Sequence, residues 1–121
     1  MESSLPSYYV DGYALFRILH GHPRFKEYAT SVAMLTSKHD LQRMHALLLK
    51  REGRGVADQY FDAFLPHAIP IDDAIYKQAN GLGSKRLPAT DLLGWLTART
   101  RNIPYLTADR RFRGKEGVIL R

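Results

Sequence analysis

The sequence predicts an α/β fold, a three-layer α/β/α sandwich in which a mainly parallel sheet is covered by helices on both faces. Three observations predict it. Short β-branched and aromatic runs alternate with segments of helical apolar period at the two ends of the chain. Acids stand just after two of the strand-like runs, at Asp11 and Asp109. The 121 residues are 45% hydrophobic and carry no low-complexity tract, enough to bury one core, so residues 1–121 read as a single domain.

The elements follow in order. MESSLPS has neither a basic start nor an apolar stretch, so no secretory signal is visible, and residues 2–7 read as a frayed lead-in after a native Met1. Residues 8–10 (YYV) form the first strand. Asp11-Gly12 breaks the period, and Gly12 allows a close backbone approach at the turn. Residues 13–20 have helical spacing, with Ala14, Leu15, Ile18 and Leu19 on one face; Gly21 and Pro23 end them. Read locally, Asp11 is the N-cap of this helix.

Residues 24–28 suggest a helical turn, and residues 30–35 (TSVAML) a second strand. Thr36 and Ser37 are start signals for a helix over residues 38–51, with Leu41, Met44, Leu47 and Leu48 at three- and four-residue steps. Gly53 and Gly55 end it. A further helix over residues 56–65 is expected to bury Val56, Tyr60, Phe61, Phe64 and Leu65. Residues 71–82 read as helical, with Asp72 and Asp73 placed favourably for the helix dipole and therefore structural. Pro88 precedes a helix that carries Asp91 at its start and Leu92, Leu93, Trp95 and Leu96 on its apolar face. The run Pro104, Tyr105, Leu106, Thr107 is the third strand. RRFRGKEG is a basic turn, and residues 118–120 are the last strand.

Composition narrows the function. No apolar run approaches the roughly 18–20 residues of a membrane span. The absence of cysteine excludes disulfides and thiolate metal sites and fits a cytoplasmic location. Net charge is +6, and from Leu82 to Arg121 nine Lys/Arg face three acids, a difference of +6. The rest of the chain is therefore near neutral, and a one-sided basic region is the electrostatic footprint of a polyanion partner.

Asp11, Asp91 and Asp109 are the candidate site. An acid entering a helix and acids leaving strands can meet outside the carboxyl ends of an open α/β sheet, where sites form. Clustered carboxylates repel one another, and a divalent cation relieves that repulsion. Mg²⁺ or Mn²⁺ suits such a set: these are hard ions that take oxygen ligands, activate water and stabilise a phosphodiester in transit. Arg110, Arg111, Arg113 and Lys115 directly follow Asp109 and would hold a nucleic-acid backbone.

YYVDGYAL, LPATDLLGWLTA and YLTADRRFRGKEGV together resemble the PIN domain, especially its VapC-like toxin branch. The likeness covers nearly the whole chain. The last motif is the most specific: an apolar strand, then Thr-x-Asp, then Phe three residues on. The resemblance implies a Mg²⁺- or Mn²⁺-dependent ribonuclease, the toxin of a toxin–antitoxin pair. Asp11, Asp91 and Asp109 would be catalytic and metal-binding, and Thr107 would orient Asp109. It also implies a homodimer and a small antitoxin whose tail occupies the groove near the acids.

The chain departs from the family pattern at the fourth acid, a Glu early in the helix after the second strand. Aligned on the stretch ending at Gly53, Arg43 takes that position; aligned on TSVAML, Ser37 does. Asp40, one turn before Arg43, is the acid that would reach the pocket from a shifted position. An Arg43 inside the pocket would interact with a carboxylate at 4 Å by about 4 kcal/mol at an effective dielectric near 20, enough to compete with a weak Mg²⁺ site. That outcome would leave a catalytically weak RNA-binding or protein-interaction module. Asp11-Gly12 also lacks the hydroxyl of the more common Asp-Thr or Asp-Ser.

Overall fold

In the computed structural model, which describes residues 5–121, four strands pair in the order β2-β1-β3-β4, every neighbour parallel. They are β1 (Ser7–Val10), β2 (Ala33–Leu35), β3 (Tyr105–Thr107) and β4 (Val118–Leu120). The helices are α1 (Gly12–Leu19), α2 (Tyr28–Ser31), α3 (Lys38–Glu52), α4 (Arg54–Phe64), α5 (Asp73–Leu82) and α6 (Ala89–Thr100). Two short 3₁₀ turns, Leu65–His67 and Arg110–Phe112, complete the set among the described residues.

Strand alternation divides the core into two. Tyr9 lies opposite Tyr105 and Val10 opposite Leu106 in the β1–β3 register. Because successive side chains point to opposite faces, the two tyrosines go to one side and Val10 and Leu106 to the other. The tyrosines pack with Ile75 and Ala79 of α5 and Leu92, Leu93 and Leu96 of α6. Val10 and Leu106 pack with Ala14 and Leu15 of α1 and Leu41, Met44 and Leu48 of α3. These are the outer layers of a three-layer α/β/α sandwich. Each fully buried leucine contributes about 1.5–3 kcal/mol, so these two clusters hold the layers rather than exposed pairs such as Arg54–Asp58.

Strand order reverses beside β1: β2 lies on one side of it, β3 and β4 on the other. The crevice at the carboxyl ends of β1 and β3 is therefore a topological switch point. Asp11 follows β1 directly, and Asp109 stands two residues past β3.

Four expectations change. Thr30 and Ser31 are not in the second strand; their amides bond back to Glu27 and close a helical turn, and pairing with β1 begins only at Ala33 opposite Ser7. Gly55 does not end α3. Gly53 alone, at φ +90°, breaks the chain between α3 and α4, and Gly55 lies in the first turn of α4. On α4, Ala57 is fully buried and Val56, Tyr60, Phe61 and Phe64 only partly, while Leu65 is exposed in the 3₁₀ turn that follows. The lead-in expected over residues 2–7 lies outside the described residues up to residue 4, and Ser7 already belongs to β1.

Candidate active site

Each acid reaches the switch point from a different element. Asp11 is the N-cap of α1: its Oδ1 accepts from the Ala14 amide at 2.8 Å. Its Oδ2 accepts from the Thr107 hydroxyl at 2.5 Å, with the Tyr105 hydroxyl at 3.4 Å. The capping role and a site role thus use different oxygens of one carboxylate.

Asp40 sits in the first turn of α3, where its amide donates to the N-cap Ser37 hydroxyl. Its Oδ1 accepts from the Gly12 amide at 3.0 Å, and its Oδ2 lies 2.5 Å from the Tyr9 hydroxyl. Tyr9 also lies 2.8 Å from Ser37 Oγ. With one proton to give, the phenol donates to the carboxylate and accepts from Ser37. Asp40 therefore stands beside the Asp11 turn, buried like Asp11.

Two glycines make this approach possible. A Cβ on Gly12 would stand 2.7 Å from Arg43 Cβ and crowd the Asp40 carbonyl. One on Gly94 of α6 would meet the Tyr9 ring at 2.6 Å and Asp40 Oδ2 at 3.0 Å. The close approach expected at Gly12 is thus to the backbone of α3.

Asp91 and Asp109 form the outer half. Asp91 lies in the first turn of α6 and accepts from Arg43 on Oδ1 and from Arg111 Nη1 on Oδ2 at 3.1 Å. Asp109 accepts from the Arg111 amide at 3.0 Å, from Arg111 Nε at 3.0 and 3.1 Å, and from Arg111 Nη2 at 2.6 Å. Thr107 Oγ1 accepts from the Asp109 amide at 3.0 Å while donating to Asp11, so one hydroxyl ties the two halves together.

The electrostatics divide along the same line. Burial, then the charge of Asp40, raises the Asp11 pKa from 3.8 to about 7, against the opposing Thr107 and Ala14 hydrogen bonds. Burial, then Asp40 for Tyr9 and Asp11 for Tyr105, pushes both phenols well above their ordinary range, so they are neutral donors. Partial burial opposes the Arg43 charge, but Asp40 and Asp91 outweigh it and its pKa rises. Partial burial likewise opposes the Asp109 charge, but its bonds to Arg111 outweigh it and the pKa falls.

The predicted basic residues separate. Arg111 turns inward, bridging Asp91 and Asp109 and reaching the Arg86 carbonyl at 3.0 Å. Lys115 lies over the Trp95 ring at 5.0 Å. Arg110 and Arg113 are exposed beside the site. A groove of about 360 Å³ opens next to Asp109 and Arg111, lined also by Tyr13, Phe16, Arg17, Leu47 and Ala108. Sequence reasoning does not single out Tyr9, Tyr105 or Gly94 as site residues. The signal for the tyrosines is their place two residues before Asp11 and Thr107 on alternating strands. For Asp40 it is Ser37-x-x-Asp40, the spacing of an N-cap and its third helical residue.

Oxygen-only donors suit a hard divalent cation. In this arrangement, however, every carboxylate oxygen of the four acids already accepts a hydrogen bond from the chain. Among the described residues no three His, Cys, Asp or Glu side chains are grouped to hold a metal ion.

Fold and site define a parallel α/β domain with an acidic, arginine-bridged pocket at its switch point. The fold is similar to a chain in the solved structure of a toxin–antitoxin complex from Klebsiella pneumoniae, with TM-score 0.73, 17% identity and coverage of 93% of this chain and 95% of that one. No protein-family model and no curated protein matches the sequence. Among the described residues, no helix is long and apolar enough to cross a membrane.

Proposed function

We propose that this chain is a PIN-like endoribonuclease that hydrolyses RNA phosphodiesters with Mg²⁺ or Mn²⁺, and that it is the toxin of a cytoplasmic toxin–antitoxin pair. The observation that carries this reading is a pair of buried acids, Asp11 and Asp40, and an arginine-bridged pair, Asp91 and Asp109, linked through Thr107 at the switch point. The likeness in fold to a chain of a toxin–antitoxin complex supports it. With Arg43 and Arg111 drawn aside, Asp91 and Asp109 would offer the cation oxygens beside Asp11 and Asp40. When bound, it would polarise a phosphoryl oxygen and acidify a water.

The chain's own residues position the rest. Thr107 holds the Asp11 carboxylate and the Asp109 backbone in register. Tyr9 and Tyr105 keep donors on the buried pair without adding charge. Arg110 and Arg113 offer phosphate contacts at the rim. The groove along Tyr13, Phe16 and Leu47 is the seat we assign to the antitoxin tail, and the assembly we propose is a homodimer. Cleavage of a mixed RNA pool with and without Mg²⁺ tests the reading. It should require the cation and disappear in Asp91→Asn and Asp109→Asn; cleavage that survives chelation would falsify it.

A second reading has its own observation, the Arg43–Asp91 ion pair. If the arginines never leave, the domain binds RNA without turnover. Salt-sensitive binding, no cleavage with either cation, and cleavage appearing in Arg43→Glu would favour that alternative.

A further inference from the structure

The two outer acids are held by a different kind of donor from the inner pair. Asp11 and Asp40 accept from hydroxyls and backbone amides. The side-chain donors to Asp91 and Asp109 are guanidinium groups of Arg43 and Arg111. Arg43 is anchored on α3 one turn beyond Asp40, with its guanidinium 5.8 Å from the Tyr13 ring. Arg111 borders the open groove, and its side chain keeps 32% of its surface in solvent. The counter-charge of the two outer carboxylates is therefore already supplied, and it belongs to the protein.

We infer that Arg43 and Arg111 form a latch that keeps divalent cations out of the pocket until RNA phosphates draw the arginines off Asp91. The inference rests on the nuclease reading above. A guanidinium binds a phosphate as well as it binds a carboxylate, through the same forked pair of N–H donors. Tyr13 and Arg17 line the groove with Asp109 and Arg111, so a backbone lying there reaches Arg111 from the solvent side. Once an arginine moves to phosphate, Asp91 and Asp109 lose their counter-charge beside Asp11 and Asp40, and the uncompensated carboxylates favour a cation. RNA and cation then both prefer the state with the arginines released. Their binding is coupled, and each raises the affinity of the other by the same factor.

The test is Mn²⁺ binding followed by electron paramagnetic resonance, with and without a short 2′-O-methyl oligoribonucleotide that cannot be cleaved. The oligonucleotide should raise the Mn²⁺ affinity of the natural chain roughly tenfold or more, within the usual range of coupling. Arg43→Met should bind Mn²⁺ tightly without RNA and lose most of the enhancement. Arg111→Gln, which frees Asp109 and leaves Asp91 paired with Arg43 alone, should shift Mn²⁺ affinity in the same direction and serves where Arg43→Met folds poorly. Equal Mn²⁺ affinity in the natural chain and both variants, or no effect of the oligonucleotide on the natural chain, overturns the latch. Cleavage of ordinary RNA, measured alongside, separates the two ideas. Cleavage without coupling removes the latch and leaves the nuclease. Coupling without cleavage removes the nuclease and leaves the latch.

Discussion

Replacing Asp11 with Asn should stabilise the protein at pH 8. The Asp11 carboxyl is fully buried, and its pKa stands at about 7 rather than 3.8. A group whose folded pKa is raised gives its full stability below the unfolded value and loses it as pH climbs through the folded one. The loss from Asp11 therefore runs from about pH 4 to just above pH 7. At 1.36 kcal/mol per pH unit, the gap between 3.8 and about 7 corresponds to roughly 4 kcal/mol.

Asparagine removes that charge and keeps the cap, because its amide oxygen can still accept from the Ala14 amide. The new NH₂ faces the Thr107 and Tyr105 hydroxyls; both must turn to accept it, which costs about 1–3 kcal/mol of the gain. A net stabilisation of about 2 kcal/mol at pH 8 remains, shrinking towards zero or reversing at pH 5. Urea unfolding at pH 5, 6, 7 and 8 in the presence of chelator measures it, with the slope m checked for constancy. Contributions common to both proteins cancel, so the difference between the two curves isolates Asp11. A variant less stable than the natural chain at every pH, with parallel curves, would refute the assignment of a buried, proton-retaining Asp11.

Two further outcomes are expected. Thr107→Val removes the donor to Asp11 and the acceptor for the Asp109 amide. It should destabilise by about 1–3 kcal/mol and move the Asp11 titration further upward, read by carbon NMR of the carboxyl. In Arg110→Ser/Arg113→Ser, the log–log salt slope of RNA binding should become shallower by about one unit for each phosphate that is no longer neutralised. Thermal stability should not change, because both side chains are exposed.

The local parts of this structure are legible in the sequence. The third and fourth strands carry strong apolar runs, α3 and α6 carry clear starts, and Asp11 is readable as a cap from its neighbours alone. What escapes depends on partners distant in the chain. Whether Thr30 joins a strand is decided by where β1 begins, not by the propensity of TSVAML. Asp40 looks displaced because counting back from Gly53 ignores the cap. Ser37 sets the first turn of α3, and Gly12 and Gly94 lack the side chains that would keep Asp40 from Asp11 and Tyr9. In the sequence Arg111 is one of four equivalent surface cations. Only the 3₁₀ turn, which brings its amide onto Asp109, sends its side chain inward.

The division of donors in the pocket follows from burial. An arginine placed against Asp11 and Asp40 would have to leave water completely, and the desolvation of a buried ion pair can exceed its Coulombic return. Hydroxyls and amides satisfy those carboxylates at a smaller cost, and the remaining mismatch appears as the raised Asp11 pKa. At the outer pair the balance reverses. The side chains of Arg43 and Arg111 are 20% and 32% exposed, so they keep part of their hydration while bonding Asp91 and Asp109. Such pairs are also the ones that salt, phosphate or a competing cation can exchange. The inner donors belong to the packed core, since Tyr9 and Tyr105 stack at 5.5 Å beneath α6 and Thr107 is fully buried. Arg43 and Arg111 are therefore the donors of this pocket that a charged ligand exchanges most readily.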